Sequence, residues 1–253
     1  MIRAVNIIKS FGQQEVLKDV SCSFEPGKNN LIIGRSGAGK TVLLKILIGL
    51  IEPNAGKVWY DDQDFFSLSK DQMRSLRMKI GMLFQGSALF DFMNVEQNIR
   101  FPLDMFTNMT LGEKNKRVDF CLERVSLTGN NSKFPSELSG GMQKRVGIAR
   151  AIALNPKYLF CDEPNSGLDP KTSIVIDQLI SDITKENNII TVINTHDMNS
   201  VMEIGDNIFL LYEGKLAWNG SKHEVLQSDN EILQGFIFAS PFLQRLRDKA
   251  LNK

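Results

Sequence analysis

The sequence predicts an α/β fold in which a central, mostly parallel sheet is joined to an antiparallel β part at the N-terminus and to an inserted α-helical subdomain. Three observations lead to this prediction. Apolar and polar residues alternate along short segments before residue 61, as in half-buried strands. Residues 94–135 are charged and have the composition of helices. Beyond them, short apolar strands alternate with helical segments, which favours a parallel sheet.

The N-terminal part is predicted to consist of strands joined by turns. Strands are expected over residues 4–8, 16–24, 31–33 and 57–60. Turns are expected at Pro26-Gly27 and at residues 53–56. The run 31–33 is solidly apolar, and residues 42–48 are apolar nearly all round, which is typical of a helix buried against a sheet. A strand, a glycine-rich turn and a buried helix therefore follow one another.

The remainder of the chain is predicted to hold the helical insert and the rest of the sheet. In the insert, apolar residues recur at helical spacing at Val118, Cys121, Leu122 and Val125. Further strands are expected over residues 79–84, 158–161, 189–193, 207–211 and 215–218, with a helix over 173–185. We expect one domain over residues 1–220, with the insert at 94–135, and a C-terminal tail over 221–253.

Composition and charge exclude several classes of protein. The chain has 253 residues, 30 Lys and Arg against 29 Asp and Glu, and 42% hydrophobic residues, which is typical of a folded globular protein. The net charge of +1 argues against a dedicated nucleic-acid binder, so no nucleic-acid partner is expected. The three cysteines are too few and too scattered for a disulfide framework or a zinc site, which indicates a reducing compartment.

No segment of the sequence is predicted to cross a membrane. The longest uncharged run, residues 232–244, contains Pro241 and is shorter than the ~20 apolar residues that a spanning helix needs. The N-terminus has no sustained apolar region and no small-residue cleavage site. We therefore expect the chain in the cytosol, unless a partner holds it at a membrane.

A phosphate-binding loop is predicted after the third strand. Its residues fit the eight-residue P-loop pattern and are Gly34, Arg35, Ser36, Gly37, Ala38, Gly39, Lys40 and Thr41. The glycines let backbone N–H groups surround the phosphates of ATP, Lys40 adds a positive charge, and Thr41 offers its hydroxyl to Mg²⁺. A chance match is expected in about one chain in a hundred of this length. The flanking strand and helix make chance a poorer explanation, so the sequence predicts a P-loop NTPase fold.

Polar residues follow three other predicted strands. They are Gln85, the pair Asp162 and Glu163, and His196. Because the carboxyl ends of parallel strands share one edge of a sheet, these residues are expected near the P-loop. Asp162 would hold Mg²⁺ through its waters, Glu163 would polarise the attacking water, and Gln85 is able to bind both. His196 would contact the γ-phosphate. The plainer alternatives are a solvated turn before Pro164 for the acidic pair and a structural role for a lone histidine.

A second anion site is predicted where Leu138-Ser139-Gly140-Gly141-Met142-Gln143 opens a helix expected over residues 144–153. Ser139 and the two glycines would expose backbone N–H groups there. One nucleotide has one γ-phosphate, which the P-loop already holds. The simplest use of the second site is therefore on a nucleotide bound by another copy, which predicts a head-to-tail homodimer. Ordinary helix capping remains the alternative.

Together these motifs resemble the ATPase subunit of ABC transporters over residues 2–220. In the family order they are an aromatic residue for adenine stacking (Phe11), Walker A (Gly34 to Thr41), the Q-loop (Gln85), the signature (Leu138 to Gln143), Walker B (Tyr158 to Glu163), the D-loop (Gly167-Leu168-Asp169) and the switch histidine (His196). The resemblance implies that two subunits enclose two ATP molecules and that hydrolysis releases the dimer. It also implies how the site residues divide. Catalysis falls to Glu163, His196 and Gln85, magnesium binding to Thr41, Gln85 and Asp162, and contact with the other copy's ATP to Ser139, Gly140, Gly141, Met142 and Gln143.

Four positions depart from the family pattern. Phe11 stands where Tyr is commoner, Met142 where Gln is usual, Asn165 where Thr is usual, and Gly167 where Ala is usual. None of these changes removes a catalytic group. Phe11 is still able to stack on adenine, and the phosphate contacts of the signature come from Ser139 and the glycine backbone. Hydrolysis is therefore expected to survive.

Three segments resemble more specifically the Mla-type ATPase: Met142, residues 81–91 and residues 195–198. That branch energises phospholipid transport between the membranes of Gram-negative envelopes. The resemblance implies an integral-membrane permease and a periplasmic MCE-domain lipid-binding protein as partners, and a peripheral location on the cytoplasmic face of the inner membrane. It also implies that the surface after Gln85, including residues 90–101, receives a coupling helix of the permease. The plainer alternative is that these apolar residues are subdomain core.

Other functions and contacts stay open at this point. A soluble ABC-type ATPase acting on a cytosolic scaffold, as in iron–sulfur cluster assembly, has one such domain too. A P-loop kinase would leave the signature and His196 unexplained, and Glu163 argues against a binding switch without turnover. In the tail, four apolar residues are too many to leave in water, so they dock on the chain's own body or on the partner ATPase. They are Phe236, Phe238, Phe242 and Leu243.

Overall fold

The computed structural model describes residues 1–238 and divides into two compact units. The first unit holds Met1–Glu25, Asn29–Phe66 and the described residues from Asn194 onward, and the second holds Pro26–Lys28 and Ser67–Ile193. Phe242 and Leu243 of the predicted tail lie outside the described residues. Within residues 1–238, no helix is both long enough and apolar enough to cross a bilayer.

The described chain is built of both strands and α-helices. The strands are β1 (Ile2–Phe11), β2 (Gln14–Phe24), β3 (Asn29–Ile33), β4 (Ala55–Tyr60), β5 (Gln63–Asp64), β6 (Ile80–Leu83), β7 (Tyr158–Asp162), β8 (Ile190–Asn194), β9 (Asn207–Tyr212) and β10 (Lys215–Gly220). The helices are α1 (Lys40–Leu47), α2 (Lys70–Arg77), α3 (Val95–Phe106), α4 (Leu111–Arg124), α5 (Gly140–Ala151), α6 (Pro170–Glu186), α7 (Met198–Ile204), α8 (Lys222–Val225) and α9 (Glu231–Ile237). Short 3₁₀ turns occur at Phe65–Ser67 and Pro135–Glu137. The predicted α/β class is confirmed.

The first unit contains an antiparallel sheet with the strand order β2-β1-β4-β5. β1 pairs with β2 and with β4, so that Ile2 lies opposite Phe24 on one side and Tyr60 on the other. Ile2, Ala4 and Ile7 of β1 are buried. The alternation skips one residue before Ile7 because the register shifts there, which is the effect of a bulge. The predicted antiparallel part at the N-terminus is therefore confirmed.

The first unit also contains the strand order β10-β9-β3. β3 runs parallel to β9, and β9 runs antiparallel to β10. Leu31, Ile32 and Ile33 of β3 are buried, as the solid apolar run predicts, and Asn29 and Asn30 before them are buried too. α1 follows at once and buries Leu43, Leu44, Ile46 and Leu47. The predicted succession of strand, glycine-rich turn and buried helix is present.

The second unit contains the strand order β8-β7-β6, and β6 runs parallel to β7. Every residue of β7 and β8 is buried, which is typical of strands covered on both faces. The last residue of β8, Asn194, belongs to the first unit. β7 and β8 both end in a polar residue, so each buried apolar strand places a polar group at its carboxyl end.

The helical insert is formed by α3 and α4, which both contact α5. Each of the two helices starts with a capping box, Asn94 with Gln97 and Thr110 with Glu113. The apolar residues of the insert that recur at helical spacing, Val118, Cys121, Leu122 and Val125, are all buried. The helical character predicted for this region is therefore confirmed.

Several helices differ from the sequence prediction: α2, α7 and α8 were not predicted, and α5 begins earlier than expected. α2 was not predicted, because only Leu76 of its residues is buried and its start depends on a capping box between Ser69 and Gln72. α5 begins at Gly140 rather than at residue 144, because Ser139 caps the helix and the two glycines form part of its first turn. A glycine pair lowers helix propensity, and the cap compensates for it.

The described part of the tail packs on the first unit. Leu233, Ile237 and Phe238 are buried, and α9 contacts β10. The amide Nδ2 of Asn230 donates a hydrogen bond of 3.1 Å to the carbonyl of Ala217. Of the two alternatives for the tail, docking on the chain's own body therefore applies to these residues.

The three cysteines are free thiols. Burial raises the pKa of Cys22 to about 12 and that of Cys121 to about 11. Burial also raises the pKa of Cys161, which lies inside β7.

Gly49 is expected to be intolerant of a side chain. It follows α1 with φ 71°, and an added Cβ would lie 2.1 Å from Cε1 of Phe65. Gly49→Ala should lower the free energy of unfolding by about 2–4 kcal/mol, because a left-handed conformation and an overpacked contact both act against it. Urea denaturation measures this loss.

Gly12→Ala is the matched control, because Gly12 has φ 57° but no atom within 4 Å of an added Cβ. Gly12→Ala should lower the free energy of unfolding only by the cost of the left-handed conformation, about 1–2 kcal/mol. Equal losses for the two variants would contradict the contact with Phe65.

Candidate active site

The loop between β3 and α1 has the backbone of a phosphate-binding loop. Gly34, Gly37 and Gly39 have positive φ angles of 148°, 81° and 101°. A Cβ on Gly34 would lie 2.3 Å from the carbonyl oxygen of Leu211 in β9, so no larger residue fits there. The chain is able to turn sharply from a buried strand into a helix because these positions lack side chains.

The N-terminus of α1 suits an anion. Its N-cap, Gly39, makes no side-chain capping bond, and no acidic residue lies in the first turn. Helix N–H groups and the helix dipole therefore present positive charge to this loop. Lys40 is 8% exposed, and its Nζ donates hydrogen bonds of 2.9 Å and 3.3 Å to the carbonyls of Gly34 and Arg35. The cation is thus held within the loop, while Arg35, Ser36 and Gly37 are exposed to an incoming ligand.

Thr41 is oriented by a residue that the sequence analysis missed. Asn194, at the end of β8, is fully buried, and its Nδ2 donates a hydrogen bond of 3.2 Å to Oγ1 of Thr41. The hydroxyl accepts this bond, so its own proton and its second lone pair point elsewhere. An asparagine directly after the apolar run 189–193 is the signal that was available in the sequence.

His196 and Phe11 are the other site residues that lie in the first unit. His196 is exposed between β8 and α7. Its neighbour Asp197 caps α7 by accepting a bond of 2.8 Å from the N–H of Asn199. Phe11, at the end of β1, is 49% exposed, and Nζ of Lys9 lies 5.2 Å from its ring centroid. An exposed aromatic ring of this kind is suited to stacking.

In the second unit, β6 and β7 lead to the remaining predicted catalytic residues. Asp162 is 7% exposed at the end of β7, and Glu163 follows with φ 50°. A left-handed conformation at a residue other than glycine costs about 1–3 kcal/mol and is commonest at functional sites. Gln85 is exposed after β6. Asp162 and Glu163 therefore sit in a buried and a strained position, as expected of reactive groups.

Lys144 joins two of these segments, and the sequence analysis did not single it out. It is 5% exposed on α5, and its Nζ donates hydrogen bonds to the carbonyl of Gln85 and, at 3.4 Å, to the carbonyl of Glu163. Burial lowers the pKa of this ammonium, while the nearby Cys161, Glu163 and Asp162 oppose the shift. The loops after β6 and β7 are thus fixed to the same helix.

The signature segment lies at the start of α5. Oγ of Ser139 accepts a bond of 3.3 Å from the N–H of Met142, and Nε2 of Gln143 donates one of 2.9 Å to the carbonyl of Pro135. No acidic residue lies in the first turn, and Ser139 and Gly140 are exposed. The start of α5 therefore has the features of the predicted second anion site.

Asp169 of the predicted D-loop is linked to the signature through one residue. It caps α6 by accepting bonds of 3.0 Å and 3.1 Å from the N–H groups of Lys171 and Thr172, and the hydrogen bonds from Thr172 lower its pKa. An added Cβ on Gly141 would lie 2.6 Å from Cγ2 of Thr172. The glycine therefore allows α5 and α6 to approach closely.

The structure thus places the predicted site residues in two groups. Phe11, the P-loop and His196 belong to the first unit, and Gln85, Asp162, Glu163, the signature and Asp169 belong to the second. Comparison with known proteins identifies the family to which the chain belongs. The family model described as ABC transporter matches residues 17–166, which is more than half of the chain. The chain belongs to the ABC transporter family. It is an ATPase, as the sequence predicts.

Proteins with several different names are similar to the chain in sequence. A probable ribonucleotide transport ATP-binding protein of Mycobacterium leprae is 38% identical over 236 residues, which are 93% of this chain and 68% of that protein. A methionine import ATP-binding protein of Clostridioides difficile is 39% identical, over 94% of this chain and 74% of that protein. The chloroplastic protein trigalactosyldiacylglycerol 3 of Arabidopsis thaliana is 36% identical, over 95% of this chain and 74% of that protein.

Solved structures share its fold. A dimeric ATP-binding cassette in a post-hydrolysis state, bound to ADP and phosphate, has a TM-score of 0.80 and 32% identity, and covers 88% of this chain and 99% of its own. The protein cbiO1 of Clostridium perfringens, part of an ABC transporter complex, has a TM-score of 0.83 and 28% identity, and covers 98% of each chain. The P-loop NTPase fold is therefore confirmed.

The bond from Asn194 to Thr41 is expected to matter for the affinity of ATP when Mg²⁺ is present. Asn194→Val removes the donor, and a lost hydrogen bond of this kind is worth about 0.5–1.5 kcal/mol, which is a loss of about 2–10-fold in affinity. Isothermal titration calorimetry with ATP should show this loss in magnesium buffer and little change in EDTA.

Thr191→Val is the matched control, because Thr191 is equally buried on β8 but its hydroxyl bonds to Thr184. It should bind ATP normally in both buffers. A loss of the same size in EDTA as in magnesium would contradict a role of Asn194 in orienting Thr41 for the metal.

Proposed function

We propose that the chain is the ATP-hydrolysing motor subunit of a transporter that moves phospholipid between the inner and outer membranes. Two copies close around two ATP molecules and drive a separate membrane permease, to which they bind on its cytoplasmic face. The observation that carries the proposal of a permease partner is an apolar, basic groove in the second unit. The phospholipid cargo is proposed from the resemblance of Met142 and of residues 81–91 and 195–198 to the Mla-type ATPase.

The roles of the site residues follow from their chemistry. Glu163 polarises the attacking water, Gln85 orients it, and His196 contacts the γ-phosphate. Thr41 and Asp162 supply a hydroxyl and a carboxylate, which are the oxygen ligands that Mg²⁺ prefers, and Gln85 adds an amide oxygen. Bound Mg²⁺ would neutralise charge on the phosphates.

Dimerisation is supported by the start of α5. Ser139 and Gly140 are exposed there, and the first turn lacks an acidic side chain that would compete with a phosphate. The P-loop already provides for the γ-phosphate of its own nucleotide, so the second anion site is available to the nucleotide of another copy. The solved cassette that resembles this chain and holds ADP and phosphate is itself dimeric.

The proposed docking groove is a cavity of about 650 Å³ between α2, β6, α3 and the end of α5. Four aromatic rings line it, Phe84 and Phe90 from the loop after β6 and Phe101 and Phe106 from α3. Phe90 and Phe101 lie with their ring centroids 4.9 Å apart. These rings leave an open apolar cavity, so they are more than subdomain core, and an amphipathic helix of a permease loop would fill it.

Cations surround the groove. Lys70, Arg74 and Arg77 of α2 and Arg150 of α5 line it, and none of the described residues that line it is acidic. A docking helix with acidic residues beside an apolar face fits this charge pattern. The MCE-domain protein would reach the motor only through the permease, since it acts on the other side of the membrane.

The names of the relatives indicate different transported compounds, so they do not agree on the cargo. One relative is named for ribonucleotide transport, another for methionine import, and a third for trigalactosyldiacylglycerol, which is a lipid. A soluble ABC-type ATPase on a cytosolic scaffold is the competing function. The groove favours a permease over a scaffold because its size and apolar lining suit one short helix.

Purification of the tagged chain from native membranes in mild detergent tests the proposed function. Mass spectrometry should find a polytopic permease, an MCE-domain protein and bound phospholipid. A soluble scaffold with no permease would contradict the transporter function. A permease with a periplasmic binding protein for a nucleotide or an amino acid would contradict the phospholipid cargo alone.

Charge reversal in the groove should release the permease. In Lys70→Glu/Arg74→Glu, repulsion of the acidic helix should lower the recovered permease at least tenfold, while the ATPase rate of the isolated chain stays the same. Quantitative mass spectrometry of the purified complex measures the recovery. Lys116→Glu/Lys185→Glu reverses two exposed charges outside the groove and is the control. Equal recovery with both double variants would contradict docking in the groove.

Removal of the Glu163 carboxylate should stop turnover without preventing ATP binding. Glu163→Gln should lower the hydrolysis rate by about 10²–10⁴-fold, because the water loses its general base, and should accumulate an ATP-bound dimer. A phosphate-release assay and size-exclusion chromatography measure the two effects. Glu123→Gln, on the exposed side of α4, should behave as the unmodified chain. Retained turnover in Glu163→Gln would overturn the assignment of the base.

A further inference from the structure

α5 carries two cations that bind one loop. Arg150 donates hydrogen bonds of 2.7 Å from Nη1 to the carbonyl of Ala88 and of 2.6 Å from Nη2 to the carbonyl of Ser87. Lys144, earlier on the same helix, donates to the carbonyl of Gln85. Three carbonyls among four consecutive residues are therefore held by side chains of a single helix, and all of these residues belong to the second unit.

The loop needs such support because its own conformation is unfavourable. Ser87 and Ala88 have positive φ angles of 61° and 48°, although neither is glycine. Conformations of this kind persist only where surrounding contacts hold them. Bonds between a charged donor and a carbonyl are stronger than neutral ones, and the planar guanidinium of Arg150 is shaped to donate to two acceptors at once.

Gly147 brings the loop close to the helix. It lies on α5 between the two cations, and an added Cβ would lie 2.7 Å from Cδ1 of Leu83 and 3.4 Å from Cβ of Ser87. The end of β6 and the loop after it therefore lie directly against the helix at this point. Lys144 and Arg150 bind the loop on either side of this contact along the axis.

The same helix reaches three functional surfaces. Its N-terminal cap is Ser139 of the signature, Lys144 also donates to the carbonyl of Glu163, and Arg150 lines the groove described above. Since an α-helix is stiff over 12 residues, a displacement of one end moves the other.

We propose that Lys144 and Arg150 are positioning residues that clamp residues 85–88 to α5, so that the groove, Gln85 and the signature move as one body. The clamp acts on catalysis through Gln85 and Glu163 and contacts no nucleotide. Only the link to the groove rests on the proposed function, because the clamp itself needs no partner.

The clamp is tested on the full chain alone, with Lys144→Met and Arg150→Lys. Methionine keeps the length of the side chain and loses every donor, and lysine lacks the fork that reaches two carbonyls. Each variant should lower kcat for ATP hydrolysis about tenfold and change KM by less than twofold. Hydrogen exchange of the amides over residues 84–91 should accelerate at least tenfold, with no acceleration in β3 or α1.

Lys144→Arg and Arg124→Lys complete the experiment. Lys144→Arg keeps a cationic donor and should restore kcat to within threefold of the unmodified chain. Arg124→Lys alters a half-buried arginine that pairs with Glu186, far from residues 85–88 in sequence, and should change neither measurement. If Lys144→Met does not fold, Arg150→Lys decides by the same measurements.

Three results would overturn the clamp: unchanged exchange over residues 84–91, a loss that appears in KM and not in kcat, or equal acceleration of exchange throughout the chain. None of them depends on a permease. A chain that purifies without a permease but shows the expected exchange and kcat would contradict the proposed function and leave the clamp standing.

Discussion

The absence of side chains at three positions between β3 and α1 is the constraint on which the site depends. β3 is wholly buried and α1 is buried along most of its length, so neither element is able to move aside for a wider turn. At Gly34 the carbonyl of Leu211 already occupies the space of a Cβ. The loop consequently has one tight path, and that path holds Lys40 against the loop carbonyls of Gly34 and Arg35 at the start of α1, where helix N–H groups favour an anion.

A second feature of the molecule is the placement of polar groups at the ends of fully buried strands. Asp162 ends β7 and Asn194 ends β8, where each is less than one tenth exposed. A buried polar group is costly unless it finds a partner, so such residues are positioned by strong local requirements. The Nδ2 of Asn194 finds its partner in Oγ1 of Thr41. Rigid strands thus hold polar groups at defined positions. The loops that come after these strands in the chain are more adaptable.

The parts of the fold that sequence reasoning reached were those with a strong local signal. β3, β7 and β8 were predicted because their apolar runs are nearly unbroken, and α4 because its buried residues recur at helical spacing. α2 was missed because a single buried residue, Leu76, gives no periodicity. The start of α5 was placed four residues late because its glycines have low helix propensity, whereas the cap at Ser139 decides.

The candidate site divides in the same way. The P-loop, the signature and the acidic pair are contiguous sequence motifs whose chemistry is predictable from the sequence alone. Asn194, Lys144 and Arg150 act on residues 153, 59 and 63 positions away in sequence, and no local pattern indicates such a contact. Their partners are also uncharged, being backbone carbonyls or a hydroxyl, so the sequence shows no oppositely charged residue that would indicate the contact.

The environment of the three cysteines has a practical consequence for chemical labelling. Thiols react as thiolates, and the raised pKa values of Cys22, Cys121 and Cys161 disfavour that form. Cys121 and Cys161 are also buried, and Cys22 is half-buried. A cysteine introduced at an exposed position would therefore take up a maleimide dye almost alone, without removal of the native residues. Spectroscopic distance measurements between two copies of this motor are accordingly open to the otherwise unmodified chain.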